Sequence, residues 1–94
     1  MNADINLRLA ATVIPNPMRG AGLLNLTLGR SGPVRVEVLD VQGRRVGVVL
    51  DAPHLEPGRY PIALRGTEPL RSGVYFYRVQ AAEGVIKGRF VVLE

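Results

Sequence analysis

The sequence contains no cysteine, no tryptophan, one histidine and one lysine. Without cysteine there is no disulfide of the kind that staples many small secreted domains, no thiol nucleophile and no thiolate metal knuckle. The same absence leaves the redox compartment open. The single histidine, His54, has only Asp51 and Glu56 as acidic neighbours in sequence, fewer groups than a metal site usually uses. The reading that fits is an exposed loop histidine among solvated acids. Asp4, Glu37, Asp40, Glu68, Glu83 and Glu94 fall on different predicted elements, so no catalytic carboxylate pair is legible. Gly20 and Gly22 precede a predicted strand, not the helix N-terminus that would hold a phosphate. No cofactor, no metal and no catalytic residue is expected.

Long apolar runs and helical periodicity are missing too. No stretch approaches the ~20 apolar residues of a membrane span. Met1-Asn2-Ala3-Asp4 lacks the basic start and apolar run of a signal peptide, so an exported parent would carry that signal upstream. No segment of ten residues repeats apolar side chains at the 3.6-residue period.

The charge is basic, with 12 Lys and Arg against 8 Asp and Glu, a formal net charge of +4. The cations are dispersed singly, and Arg44-Arg45 is the one adjacent pair. Dispersed charge of this kind reads as a solvated basic face and not as a nucleic-acid surface.

What the chain does have is a period of two. At 94 residues, 47% of them hydrophobic, it has material for one core. The expectation is a single domain over residues 1–94, with 1–5 as a flexible tail or linker. Alternation predicts strands over 7–13, 24–28, 34–38, 45–50, 59–64, 74–80 and 85–93. Pro15-Asn16-Pro17 should end the first strand, because two prolines cannot donate ladder hydrogen bonds and Asn16 is a turn former. Asp40 to Gly43 should form a hairpin, with Asp40 accepting backbone N–H groups two or three residues on and Gly43 left-handed. Residues 51–58, with Pro53 and Pro57, read as a loop. Pro61 marks the 59–64 strand as an edge or an interrupted strand. The fold class is therefore all-β: a seven-stranded, immunoglobulin-like antiparallel β-sandwich. Its expected core holds Leu26, Val36, Val38, Val48, Ile62, Tyr75, Tyr77 and Val91. Tyr60, Tyr75 and Tyr77 could line a sugar-binding platform, but the alternation of Tyr75 and Tyr77 fits inward positions better.

The order of the motifs adds to this reading. Ile14-Pro15-Asn16-Pro17-Met18 precedes Leu24, Leu26 and Leu28 at alternate positions. Val34, Val36 and Val38 lead to Asp40, then Gly43-Arg44 and Val46. Gly58 and Tyr60 precede the run Ser72-Gly73-Val74-Tyr75-Phe76-Tyr77-Arg78-Val79, and the chain ends Lys87-Gly88-Arg89-Phe90-Val91-Val92-Leu93-Glu94. From about residue 11 to 94 this resembles the C-terminal sorting domain of type IX secretion cargo, and also the related immunoglobulin-like domain of the flagellar hook-capping protein. The residues carrying the resemblance are Asn16, Pro17, Asp40, Gly43, Ser72, Gly73, Tyr75 and Tyr77. It departs from the usual family pattern at Met18, at Leu64-Arg65-Gly66 and at the terminal Leu93-Glu94.

The resemblance implies a non-catalytic address and anchor at the C-terminus of a longer exported protein. Its partners would be an outer-membrane secretion translocon, a sortase-like peptidase and the N-terminal cargo domain to which it is fused. The route would run through the periplasm to the cell surface or the medium. Other readings are a structural or assembly module of the hook-capping or linker type, and a carbohydrate-binding module. The expected recognition element is the last strand, with Lys87, Gly88, Arg89, Phe90 and Val92 along an open edge. In that expectation Val91 and Leu93 point inward, Phe90 and Val92 point outward, and Gly88 admits another backbone. The same edge offers a route to a weak homodimer.

Overall fold

The structure, a computed structural model, describes residues 7–64 and 70–94. The expected tail at 1–5 and Arg65-Gly66, part of the departure from the family pattern, lie outside the described residues. Seven strands are described: β1 (Ala10–Arg19), β2 (Ala21–Leu28), β3 (Gly32–Leu39), β4 (Arg45–Leu55), β5 (Gly58–Ala63), β6 (Gly73–Ala81) and β7 (Gly84–Leu93). There is no helix among the described residues. The strand order is β4-β3-β6-β7-β1-β2-β5. Pairing is antiparallel except between β1 and β7, which meet in parallel only at Met18–Val92 and Arg19–Leu93. The chain thus forms two layers, β4-β3-β6-β7 and β1-β2-β5, stitched at one corner into a sandwich-like arrangement.

Alternation explains the interior. Leu24, Leu26 and Leu28 on β2 face Val34, Val36 and Val38 on β3 and Tyr77 and Val79 on β6 within one cluster. Met18, at 1% exposure, closes that cluster from β1 beside Gly22 with its flexible thioether. The Tyr77 hydroxyl crosses the sandwich and donates to the Ala11 carbonyl at 3.0 Å. The Glu83 carboxylate, in the β6–β7 turn, accepts from Leu9 N at 3.1 Å and Gly29 N at 2.8 Å. It ties the entering chain and the β2–β3 turn to the same end of the sandwich.

The Pro-Asn-Pro segment does not stop β1. The strand runs on to Arg19 through a register shift between Ile14 and Arg19, pairing first with β2 and then with β7. Both Ile14–Pro15 and Asn16–Pro17 are cis. Prolines give the ladder no N–H, and the Asn16 side chain supplies what they lack. Its Oδ1 accepts from Val91 N at 3.0 Å, and its Nδ2 donates to Arg89 O at 3.4 Å. The carboxamide stands in for a peptide group while β1 crosses from one layer to the other. Asn16 is therefore a bridge between layers and not merely a turn residue.

Other boundaries move for similar reasons. Residues 51–55 extend β4 instead of forming a loop, because β4 lies at the margin of its layer and Pro53 is tolerated there. Pro61 sits on β5 at the opposite margin, as an edge-strand proline should. Register shifts at Val36/Glu37 and Val38/Leu39 interrupt the alternation of β4. They turn Val48 outward, 42% exposed, while Val46, Val49 and Leu50 pack on the core, so Val48 is not a core residue.

The phase of β7 is the reverse of the expected one. Phe90 and Val92 are buried, at 0% and 3% exposure, whereas Leu93 is exposed and Val91 only half-buried. Lys87 and Arg89 must face water, and period two then places Val91 and Leu93 on their side.

Candidate interaction surface

Most of the motif residues sit in structural contacts. Asp40 Oδ1 accepts from Gln42 N and Arg44 N, both at 2.9 Å, and Oδ2 accepts from Arg44 Nε at 3.1 Å. These hydrogen bonds, led by that from the Arg44 backbone, hold the Asp40 carboxyl below its ordinary range against a weaker opposing effect of burial. Gly43 has φ +83, the left-handed residue the hairpin requires. Ser72 is exposed just ahead of β6, which opens on Gly73. Pro17 follows the Asn16 bridge through the cis bond.

The tyrosines do not make a platform. Tyr77 is buried, and Tyr75 is half-buried, stacked on Phe90 with ring centroids 5.7 Å apart. The Tyr75 hydroxyl donates to Arg71 O at 2.8 Å, and that of Tyr60 to Glu56 O at 2.5 Å. His54 Nε2 lies 2.7 Å from Glu56 Oε2 with both side chains exposed, while Asp51 is 3.8 Å from Arg35. His54 is on β4 and not in a loop. Among the described residues no three potential ligands gather into a metal site.

The expected recognition edge comes apart in the structure. β7 lies inside the sheet order, paired with β6 along its length and with β1 at Val92 and Leu93. Phe90 and Val92 are core residues and cannot present themselves to a partner. Gly88 faces inward opposite Tyr77, and a Cβ built there would collide with the Tyr77 ring. The ring takes the space above the glycine, so no second backbone approaches there. Only Lys87 and Arg89 of the five are exposed.

Those two cations belong to a larger surface, the outward face of the β4-β3-β6-β7 layer. Residues directly opposite on paired strands share a face. Three rows cross it: Arg45, Leu39, Phe76 and Arg89; Val48, Glu37, Arg78 and Lys87; Asp51, Arg35, Gln80 and Val85. At the centre stands Glu37, 3% exposed although it is charged and on the outer side. It is covered by arginines. Its Oε2 accepts from Arg35 Nε and Arg45 Nη1, each at 3.2 Å, and its Oε1 accepts from Arg78 Nε at 3.0 Å and also from Arg78 Nη2. Burial alone would raise the Glu37 carboxyl, but the hydrogen bonds from Arg78 and Arg45 and the fields of Arg78 and Arg35 outweigh it and hold the group below its ordinary value of 4.5. Sequence alternation placed Arg35 and Glu37 together. It could not show that β6 and β4 bring two more guanidiniums to the same carboxylate.

A depressed folded-state pKa means that ionised Glu37 favours the fold above the unfolded value, and that this contribution is lost as pH falls through the folded value. Glu37→Gln is therefore expected to cost about 1–3 kcal/mol at neutral pH, where the guanidiniums lose a charged acceptor. The gap between parent and variant should close as the pH is lowered beneath 4.5. Urea midpoints measured for both proteins from neutral to acid pH check this. A gap that stays constant in acid would show that the charge of Glu37 is irrelevant.

These features define a class: an all-β module whose recognisable residues build and brace a sandwich-like fold and whose outer surface carries charge. The chain belongs to the family of type IX secretion system C-terminal sorting domains, whose model matches residues 12–93. Among solved structures, the chain is similar to PorZ, an essential bacterial surface component of the type IX secretion system of Porphyromonas gingivalis. The TM-score is 0.58 at 23% identity, over 90% of this chain and 12% of that one. At that identity the likeness speaks for the fold. No curated protein matches the sequence.

Proposed function

We propose that residues 1–94 form one immunoglobulin-like domain that acts, without catalysis, as the C-terminal sorting and anchoring module of a longer cargo protein. The observation that carries this reading is the family match over 12–93, which spans every described strand in whole or in nearly all of its length. The chemistry agrees with it. The motif residues Asn16, Asp40, Gly43 and Tyr77 are consumed in structural contacts, so what a partner can read is the folded surface. On this reading the translocon of the outer membrane recognises that surface after the parent, led by its own signal peptide, has reached the periplasm. A sortase-like peptidase then acts ahead of the domain, and the cargo reaches the cell surface or the medium.

The test is a fusion of residues 1–94 to the C-terminus of a folded, periplasm-directed reporter in a bacterium with a working type IX system. Surface or medium delivery of the fusion, with periplasmic retention of the reporter lacking residues 12–93, is the expected result. Equal delivery of both, or retention of the intact fusion, would refute the sorting role.

A further inference from the structure

We propose that the outer face of the β4-β3-β6-β7 layer is the docking surface of this domain and that its occupant is a protein partner with an acidic surface. The proposal rests on the sorting reading and names the part of the domain that a receptor would grip.

The first ground is charge asymmetry. This face carries Arg35, Arg45, Arg78, Lys87 and Arg89 against Glu37 and Asp51. That surplus of three positive charges is most of the formal +4 of the whole chain. The outer face of the β1-β2-β5 layer is built from rows such as Thr12, Asn25 and Pro61, or Ile14, Leu23 and Ala63, and its paired rows carry two charges, Arg59 and, at the corner, Arg19. Charges are thus more numerous and more closely grouped on the β4-β3-β6-β7 face than on the other.

The second ground is the way the cations are held. Glu37 neutralises one charge and is fully engaged, yet each guanidinium has five N–H donors and gives Glu37 only one or two. The carboxylate holds three arginine heads in place while leaving most of their donors unused by it. The side chains of Arg35, Arg78 and Arg45 are 37%, 34% and 54% exposed. An array fixed in this way has already lost part of the side-chain entropy that docking would otherwise cost. Guanidinium forks match carboxylates in two-point contacts.

The third ground is apolar content. Val48 and Val85 are exposed between the charges, at 42% and 56%. Beside Phe76 lies a shallow hollow of about 290 Å³, lined by Leu39, Val41, Phe76 and Lys87 among others. It has room for one apolar side chain of a partner. Arginine interleaved with apolar side chains, and little lysine, is the composition of a protein interface.

Other occupants fit less well. A second copy docking face to face would set three surplus positive charges against three. A phosphate would use the cations but leave Val48, Val85 and the hollow beside Phe76 unmatched. The isolated valines of a flat pleat also offer nothing that projects into acyl chains.

The experiment uses the reporter fusion described above with three changes. Lys87→Glu with Arg89→Glu reverses charge on the proposed face without touching a Glu37 contact. Arg30→Glu with Arg59→Glu makes the same change in net charge away from it. The third is deletion of residues 12–93. The face variant is expected to lower surface delivery by at least about tenfold, the loss of one good charge contact. Its thermal midpoint should stay close to that of the parent, since exposed charges add little to stability. The matched variant should be delivered like the parent.

Normal delivery of the face variant would overturn the docking surface while leaving the sorting role standing. Equal loss in both charge variants would also overturn it, because net charge and not the face would then be responsible. If the deletion has no effect, both proposals fail. Two further measurements test the class of occupant. Binding of the purified domain to phosphatidylglycerol vesicles that is abolished by the face variant would replace the protein partner with a membrane. A concentration-dependent dimer abolished by the same variant would replace it with a second copy.

Discussion

Replacing Phe90 with alanine is expected to remove about a fifth or more of the domain's stability. Phe90 is the largest side chain that is fully buried, at 0% exposure, and its ring stacks on Tyr75 across the β6–β7 pair. Truncation of a buried phenylalanine costs about 3–5 kcal/mol, from lost transfer energy and the cavity left behind. A chain of this length has in all about 5–14 kcal/mol to lose, at the usual stability per residue. Without disulfides to hold it, the variant should unfold at a far lower urea concentration with a similar slope. Phe90→Leu, which keeps most of the volume, should cost less than about 1.5 kcal/mol. Leu93→Ala on the exposed side of the same strand should have a small effect. The experiment therefore reads the phase of β7. If Leu93→Ala proved costly and Phe90→Ala harmless, the strand would be turned over and the outer basic face would lose Lys87 and Arg89.

The second large effect is expected at Gly88, from adding one methyl group. Gly88 lies directly opposite Tyr77, and a Cβ there would occupy the same space as the end of the Tyr77 ring. The ring cannot step aside freely, because its hydroxyl is tied to Ala11 O on the facing layer. Burial of that hydroxyl also raises its pKa, in keeping with an enclosed site. Gly88→Ala should cost about 1–3 kcal/mol by overpacking, and Gly88→Val more. At about 4–8 °C per kcal/mol for a domain of this size, the alanine variant alone should lower the melting temperature measurably. The decisive comparison is a double-mutant cycle. In a Tyr77→Val background the ring is gone, and Gly88→Ala should become neutral or mildly favourable. An undiminished cost in that background would mean that Gly88 matters for its backbone and not for the ring above it. The result also bears on export. A Gly88 variant that fails to be secreted would do so because the sandwich is weakened, whereas the Lys87 and Arg89 reversal acts on an intact fold.

Much of the fold was legible because strand alternation is a local property. Leu26, Val36, Val38, Ile62 and Tyr77 were readable as core from their neighbours alone, and all are buried. The Asp40–Gly43 hairpin was equally readable, since an aspartate that caps nearby N–H groups and a left-handed glycine act within four residues. The misreadings share a cause. Val48 was placed inward by strict period two, and only the bulged pairing of β3 with β4 turns it out. The run Phe90-Val91-Val92-Leu93 is apolar throughout, so its own pattern has no phase, and the phase comes from what β6 and β1 press against. Nothing near Glu83 in sequence shows that the fold brings Leu9 and Gly29 to its carboxylate.

The amino-acid sequence by itself determined the all-β class, the positions of most strands and the family, because these depend on residue order over short spans. It also determined that no cysteine stands available as a nucleophile or a thiolate ligand. Only the tertiary structure decided which side of β7 is buried, that Asn16 carries β1 from one layer to the other, and that three arginines from three strands close over Glu37. The physical reason is separation along the chain. Asn16 meets β7 across more than seventy residues, and Arg78 meets Glu37 across forty-one. Contacts of that kind leave no local period to read, and they are fixed only when the layers pack.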